Sequence, residues 1–443
     1  MDKFKVLGGT KLRGEIKVSG AKNVAMKVVL ASLLTEKPVV VHNIPMVSSV
    51  LMTVDLLKKL GVKVKAGHHH DLELCGKGVE KFEVPLDFGG LCRTATMVIG
   101  PLLTKFGKAV VPNPGGCRLG KRPIDRHIEG LRQMGAKITP KEGFFIASAK
   151  KLHGIRYKFS KNTHTGTESM ILATVLAEGE TVLENCAQEP EVDDLIRMLN
   201  LMGAKIRRSK PRTIVVAGVE KLDGVDFTIM PDRNEVVTFA IGAIASGGDV
   251  LVKGCDRHYL KAFLQKLDEI KAGWEPVSSD TTRFYHQGKL LPTAVETGPY
   301  PKFMTDWQAP WAILMTQAQG LSTIHETVYE DRFGYVKEMR KMGAKIDFYD
   351  PKVKNPKDFY NFNWSDRIAG NCQAIRIHGP AKLHNAVLEM TDLRAGATLV
   401  LGAIIASGES IIHGVNHIDR GYEKIEERLQ KLGARIRRIR DEE

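Results

Sequence analysis

A thiol, a carboxylate and a set of cations at predicted helix starts carry the chemistry this chain can offer. Cys117 lies in NPGGCRLGKRPIDRHIEGL, a Gly- and Pro-rich loop from Asn113 to Leu131 that joins a strand ending near Val111 to a helix beginning around Pro123. Arg118, Lys121 and Arg122 surround it, and a thiol exposed among cations has the environment of a reactive cysteine. A structural cysteine sits in an apolar run, as Cys186 and Cys255 do. Asp306 follows Thr305 in FMTDWQAPW at a predicted helix N-terminus, a position that favours an ionised carboxylate suited to act as a base. Simple capping by Thr305 or Asp306 accounts for that motif too. Lys22 and Asn23 open a helix in SGAKNVAM, which reads either as an anion site or as a solvated helix start. Arg332 falls on a strand-to-helix turn in ETVYEDRFGYV, and Arg394 (TDLRAGATL) and Arg420 (HIDRGYEKI) fall at matching helix starts. Arginines are electrostatically misplaced at helix N-termini; an anionic ligand offsets that cost, and the guanidinium fork suits carboxylate and phosphate.

Together Lys22, Arg93, Arg122, Arg332, Arg394 and Arg420 supply six cations to accompany one thiol and one carboxylate. No zinc motif, Walker loop or nicotinamide fingerprint is present, so the inventory fits a reaction without metal or cofactor on substrates bearing phosphates and a carboxylate. A net charge of +14 admits either nucleic acid or small polyanions as partners. The basic residues are spread along the chain, aromatics make up only 7%, and no nucleic-acid-binding motif appears, which favours small polyanions. The six cysteines show no Cys-x-x-Cys spacing and read mostly as small buried hydrophobes. His68, His69 and His70 lie between a strand signal and a charged turn, the setting of a solvated hairpin rather than a metal site.

The elements that must position these groups announce themselves by repetition. LKKLGVKV, LRQMGAKI, MLNLMGAKI, MRKMGAKI and LQKLGARI centre on Gly61, Gly135, Gly203, Gly343 and Gly433, with a degraded copy from Leu264 to Trp274. Each is the end of an amphipathic helix, a Gly cap and a strand. A second phrase, an apolar helix stopped by Gly and followed by a β-branched run, recurs with turn glycines Gly107, Gly179, Gly248, Gly320 and Gly408. Six units of roughly 70 residues follow, none able to bury its own apolar faces alone. The surplus DPKVKNPKDFYNFNWSDRIAGN, near residues 348–373, lacks helical period and reads as an inserted surface loop. Two domains are expected from 443 residues. No apolar stretch reaches the ~20 residues of a membrane span, and the N-terminus lacks a signal-peptide core, so a cytoplasmic protein without membrane or nucleic-acid partners is expected.

With SGAKN, PGGC-x-x-G-x-RP-x-D-x-H, EPE-x-x-DL, MPDR, TD-x-Q, ETVYE-x-RF, TDLRA and HIDRGYE assembled, the chain resembles the UDP-N-acetylglucosamine 1-carboxyvinyltransferases, the enolpyruvyl transferases that open peptidoglycan synthesis. The resemblance runs from about Leu7 to Ile436. It implies an α/β fold, a two-domain inside-out α/β barrel of six βαβαββ repeats, with 22–230 as one domain and 1–21 plus 231–443 as the other, and substrates in a cleft between them. It implies that phosphoenolpyruvate and UDP-N-acetylglucosamine react with no cofactor, and that fosfomycin alkylates Cys117. Cys117 matches the proton donor and Asp306 the base in that family's pattern. Lys22, Arg122 and Arg420 match the phosphate-binding cations, while Arg332 and Arg394 match those facing the donor's carboxylate. Asn23, Arg93, Pro123, Ile124, Asp125 and Val328 match contacts to the nucleotide sugar. Thr163 and His164 fall where the family contacts the nucleotide, although THTGTES varies from its pattern. Other departures are Arg118 and Lys121 beside Cys117, Ser48 and Ser49 in place of a charged stretch, and the insertion.

Two alternatives stay open on the sequence. The sister enzyme acting on shikimate 3-phosphate shares the fold and donor but lacks the cysteine of the PGGC loop. A non-catalytic paralogue that binds nucleotide sugar would share the fold without the reaction, against which stands the retention of Cys117, Asp306 and the anion-binding matches.

Overall fold

The computed structural model describes residues 2–68, 70–91, 93–114 and 123–440. They form two compact units, one of 20–114 with 123–230 and one of 2–19 with 231–440. Each unit contains three sheets, and the recurring chain path is strand, helix, strand, helix, strand, strand. In the second unit, Arg13–Lys17 runs parallel to Asp249–Lys253, which pairs antiparallel with Thr281–Tyr285, which in turn pairs with Gly273–Pro276. The helices Arg233–Ala245 and Lys261–Glu269 connect these strands. The next two sheets repeat the pattern around the parallel pairs Ala294–Glu296 with Gly320–His325 and Val387–Glu389 with Glu409–His413. Lys3–Leu7 supplies the closing strand of the last repeat, between Glu409–His413 and Arg435–Ile439. In the first unit the opening strand likewise comes from afar: Val225–Thr228 runs parallel to Pro38–His42. The sheet of Lys108–Pro112, Phe144–Ser148 and Lys137–Lys141 has three strands, with a lone parallel bridge from Glu83 to Val110 in place of the fourth.

The two helices of each repeat have different surroundings because their sequences differ. Arg233–Ala245 and Leu393–Ile405 are buried almost end to end, and so is His164–Thr174 after its first turn. A helix apolar on all sides belongs inside, which puts these helices at the centre of each unit with the sheets around them. Small residues let them approach: a Cβ on Gly100 would lie 2.6 Å from the Ala173 Cβ of the neighbouring helix. The other helices, such as Ser48–Leu60, bury one stripe only and end at a glycine in the left-handed region, Gly61 at φ 109°. In the degraded repeat the helix Lys261–Glu269 and the strand Gly273–Pro276 keep the pattern, yet Lys271 occupies the left-handed position at φ 58°.

Several expectations need correction. The insertion is not a bare loop. It holds the short helix Pro356–Phe359, buries Tyr360 and Phe362, and stacks Tyr360 on Trp364 at 4.8 Å. Its aromatic residues, spaced without period, pack on each other and on His325, and the Asn361 N–H donates to Thr327 O at 2.7 Å. Gly247, not Gly248, takes the left-handed turn after Arg233–Ala245; Gly248 is required because a Cβ there would meet Leu12 O at 2.0 Å. Cys186 and Cys255 are buried, their thiols pushed up to about 12 and about 11 by burial, but Cys75 and Cys372 are only half-buried. His68 and His70 do lie on a hairpin turn, between Lys63–Ala66 and Leu72–Cys75; His69 lies outside the described residues.

Candidate active site

In the second unit Asp306 does not cap a helix. A 3₁₀ turn, Thr305–Trp307, leads into the helix Gln308–Met315, and no side chain caps either start. Thr305 instead donates its hydroxyl to Glu326 at 2.8 Å. Asp306 is bracketed by two guanidiniums: Arg332 donates to Oδ1 at 2.7 Å and Arg394 to Oδ2 at 3.2 Å. The arginine side chains are only 3% and 6% exposed, whereas the carboxylate is 25% exposed. Two nearly buried cations therefore converge on one carboxylate that still reaches solvent.

The surroundings keep both arginines charged. Burial works against the cation at Arg394, yet Tyr422 and Asp306 outweigh it and hold the guanidinium above its ordinary value. Tyr422 accepts from Arg394 at 2.8 Å and shares a 2.6 Å hydrogen bond with Thr238. Arg332 is likewise opposed by burial and raised by Asp306 and Asp392. Asp392 caps the helix Leu393–Ile405 by accepting from the Arg394 N–H at 2.9 Å, which offsets the misplacement of that arginine at a helix start. Glu326 is fully buried and accepts from Thr297, Thr305, the Val328 N–H and the Tyr329 N–H, so it fixes the Val328 turn against the segment that carries Asp306. Arg420 departs from expectation. It lies on the turn after the short helix Val415–Ile418 rather than at a helix start and is half-buried.

In the first unit Lys22 and Asn23 open the helix Lys22–Val28, as the sequence suggested. Lys27, one turn on and nearly fully buried, donates to Asn23 O at 2.6 Å and pairs with Glu168 at 3.1 Å. Thr163 caps the helix His164–Thr174 by accepting from the Gly166 N–H, and His164 is its first residue. Arg93 begins a 3₁₀ helix, Arg93–Val98. Half-buried Pro123 and buried Ile124 lead into the helix Asp125–Gln133, whose first residue, Asp125, is exposed. Cys117 and Arg122, with Arg118 and Lys121, lie outside the described residues.

Sequence reasoning missed Tyr422, Glu326, Lys27 and Glu168. Tyr422 and Glu326 stand inside quoted motifs, HIDRGYE and ETVYE, and membership of those motifs was the available signal. Lys27 sits in the apolar run VAMKVVLASLL, where a lone charge requires a buried partner.

This architecture is that of enolpyruvyl transferases. Residues 6–429 match the family described as EPSP synthase (3-phosphoshikimate 1-carboxyvinyltransferase), and the chain belongs to it. Among its relatives, a UDP-N-acetylglucosamine 1-carboxyvinyltransferase of Koribacter versatilis is 43% identical, the match covering 99% of this chain and 97% of that one. UDP-N-acetylglucosamine 1-carboxyvinyltransferase 3 of Caldanaerobacter subterraneus is 40% identical over 100% of both. The solved enolpyruvyl transferase NikO of Streptomyces tendae superposes with a TM-score of 0.86 at 22% identity, covering 99% and 98% of the two chains. EPSP synthase of Acinetobacter baumannii gives 0.71 at 19%, covering 99% and 100%. The fold is thus the inside-out α/β barrel of six βαβαββ repeats.

Proposed function

We propose that the chain transfers the enolpyruvyl group of phosphoenolpyruvate to the 3′-hydroxyl of UDP-N-acetylglucosamine, releasing phosphate and opening peptidoglycan synthesis. Relatives at 39–43% identity across essentially the whole chain carry that name. The single structural observation behind the reading is the Asp306 carboxylate held between two buried guanidiniums. Arg332 and Arg394 form a ready receptor for the donor's carboxylate, and a substrate carboxylate that engages them loosens their hold on Asp306. Asp306 then takes the proton of the 3′-hydroxyl as its oxygen bonds to carbon 2 of phosphoenolpyruvate. Cys117 gives its proton to the methylene carbon, producing a tetrahedral adduct that still bears phosphate. Loss of phosphate, with return of a proton from that methyl carbon, restores the double bond in the product.

Lys22, Arg122 and Arg420 face the phosphate in this reading; Asn23, Arg93, Pro123, Ile124, Asp125, Thr163, His164 and Val328 contact the nucleotide sugar. Fixed cations stabilise charge as it develops, each typically contributing ~3 kcal/mol. Both substrates are small molecules, and the reaction is proposed to run in the cytoplasm. No described helix is long and apolar enough to cross a membrane. The test is phosphate release from phosphoenolpyruvate with UDP-N-acetylglucosamine or shikimate 3-phosphate as acceptor, comparing the parent enzyme with Cys117→Ala. Release with the nucleotide sugar alone, abolished by the substitution, is expected. Release with shikimate 3-phosphate instead, or with neither, overturns the reading.

A further inference from the structure

Asp306 is the middle residue of the turn Thr305–Trp307, and side-chain hydrogen bonds anchor both of its neighbours. Thr305 donates to Glu326 at 2.8 Å, and Trp307 donates its indole Nε1–H to Asn234 Oδ1 at 3.0 Å. The indole stands edge-on to Phe263 and Phe303, with centroids 6.0 and 5.5 Å away, and the Arg233 guanidinium lies over it at 5.8 Å. Packing therefore fixes where the ring sits, and Asn234 fixes where its N–H edge points. A buried amide is costly unless its hydrogen bonds are made, so Asn234, 4% exposed near the start of Arg233–Ala245, needs this partner as much as it serves it.

A second branch runs from the same asparagine to Arg394. Thr238 lies one helical turn on and donates its hydroxyl to Asn234 O at 3.0 Å. A hydroxyl has one proton, so in the 2.6 Å contact between Thr238 and Tyr422 the phenol is the donor. With its own proton committed, Tyr422 presents a lone pair to Arg394 Nη1 at 2.8 Å. Burial raises the phenol above its ordinary value, so it keeps that proton. Every donor in the series Arg394, Tyr422, Thr238 thus points toward Asn234. Arg394 Nη2 reaches Asp306 at 3.2 Å, which closes a ring through Asp306, Arg394, Tyr422, Thr238, Asn234 and Trp307. Thr238, Trp307 and Tyr422 are each 1% exposed, and hydrogen bonds shielded from water are electrostatically stronger and reinforce one another.

We propose that Asn234, Thr238 and Tyr422 are positioning residues of the transfer reaction, members of a buried hydrogen-bonded ring that aims Arg394 at the donor's carboxylate and keeps the Asp306 turn in register with it. The proposal rests on the substrate reading above and adds what orients the receptor and the base. Each of the three acts through Arg394 or Trp307. The two branches have different kinetic consequences. Arg394 meets the donor's carboxylate in the bound substrate and in the transition state alike, so loosening it weakens binding and raises KM. The Trp307 branch holds the base, so loosening it lowers kcat.

Steady-state phosphate release, with saturating UDP-N-acetylglucosamine and varied phosphoenolpyruvate, tests both branches on the whole chain. Tyr422→Phe should raise KM for phosphoenolpyruvate about tenfold and change kcat by less than about threefold. Asn234→Leu, which frees both branches, should raise KM and also lower kcat about tenfold. Thr238→Val, two hydrogen bonds removed from Arg394, should raise KM about threefold, and Thr238→Ser, which restores the hydroxyl, should recover most of that loss. Urea unfolding of Asn234→Leu, Tyr422→Phe and the double variant supplies a readout independent of activity. Their midpoint shifts should fall short of additive, because either single substitution already opens the ring. Midpoints that shift while KM and kcat keep the parent values would make the ring purely structural and overturn the proposal. Additive midpoints, or a Thr238→Ser variant no better than Thr238→Val, would overturn it too. A parent that releases no phosphate with the nucleotide sugar overturns the substrate reading instead, and the midpoints still decide whether the ring exists.

Discussion

Replacing Asp306 by Asn tests the claim that one carboxylate holds two buried cations together. The side-chain shape is retained while its charge is removed from contacts of 2.7 and 3.2 Å to guanidiniums that are 3% and 6% exposed. At an effective dielectric of ~20, each ion pair at about 4 Å amounts to roughly 4 kcal/mol of attraction. Removing one partner of a buried pair costs about 3–5 kcal/mol in practice. The carboxylate is a quarter exposed and the amide oxygen still accepts a hydrogen bond, so the lower end applies, about 3 kcal/mol. All four tryptophans lie in residues 231–443, the stretch carrying this cluster, so fluorescence-monitored urea unfolding reports on that unit. The loss should shrink on adding sulfate or phosphoenolpyruvate, because an anion supplies the missing charge to Arg332 and Arg394, and the stabilisation by that anion should exceed that of the parent. Turnover should drop by about 10²–10⁴, the usual contribution of a general base. Unfolding within about 0.5 kcal/mol of the parent, with no greater response to anions, would refute the reasoning.

Three further outcomes are expected. Lys271 adopts the left-handed conformation that glycine takes in the other five repeats, so Lys271→Gly should stabilise the second unit by about 1 kcal/mol in urea unfolding; no gain would mean the backbone there is unstrained. His127 titrates at about 3 in the folded state against about 6.5 unfolded, so the stability it confers is present above 6.5 and lost as pH falls toward 3. Relative to His127→Gln, the parent should therefore lose about 1.4 kcal/mol per pH unit in that window, and parallel pH profiles would contradict the assignment. Tyr360 is 2% exposed at the centre of the insertion's aromatic stack, and Tyr360→Ala should cost about 3 kcal/mol and speed amide exchange at Asn361; unaltered exchange there would show that the insertion does not brace the Thr327–Val328 turn.

Much of this protein was written in local sequence. The five Gly-centred copies and their degraded sixth fixed helix ends and strand starts, because a left-handed cap and a 3.6-residue apolar stripe are properties of a short window. The same window logic located Lys22, Asp306, Arg332 and Arg394 near helix starts or turns. Tertiary structure alone decided what those groups do there. Asp306 pairs with Arg394, 88 residues away, instead of capping its helix, and Arg420 lies on a turn instead of at the helix start its motif suggested. The aromatic residues of the insertion carry no period, so their packing on His325 left no trace in a periodicity reading. Lys27 and Glu168 meet only because the first unit brings two helices distant in the chain within reach of each other. Periodicity tells a segment which face to bury; which charge it will meet there depends on contacts between distant segments, formed only when the repeats pack against one another.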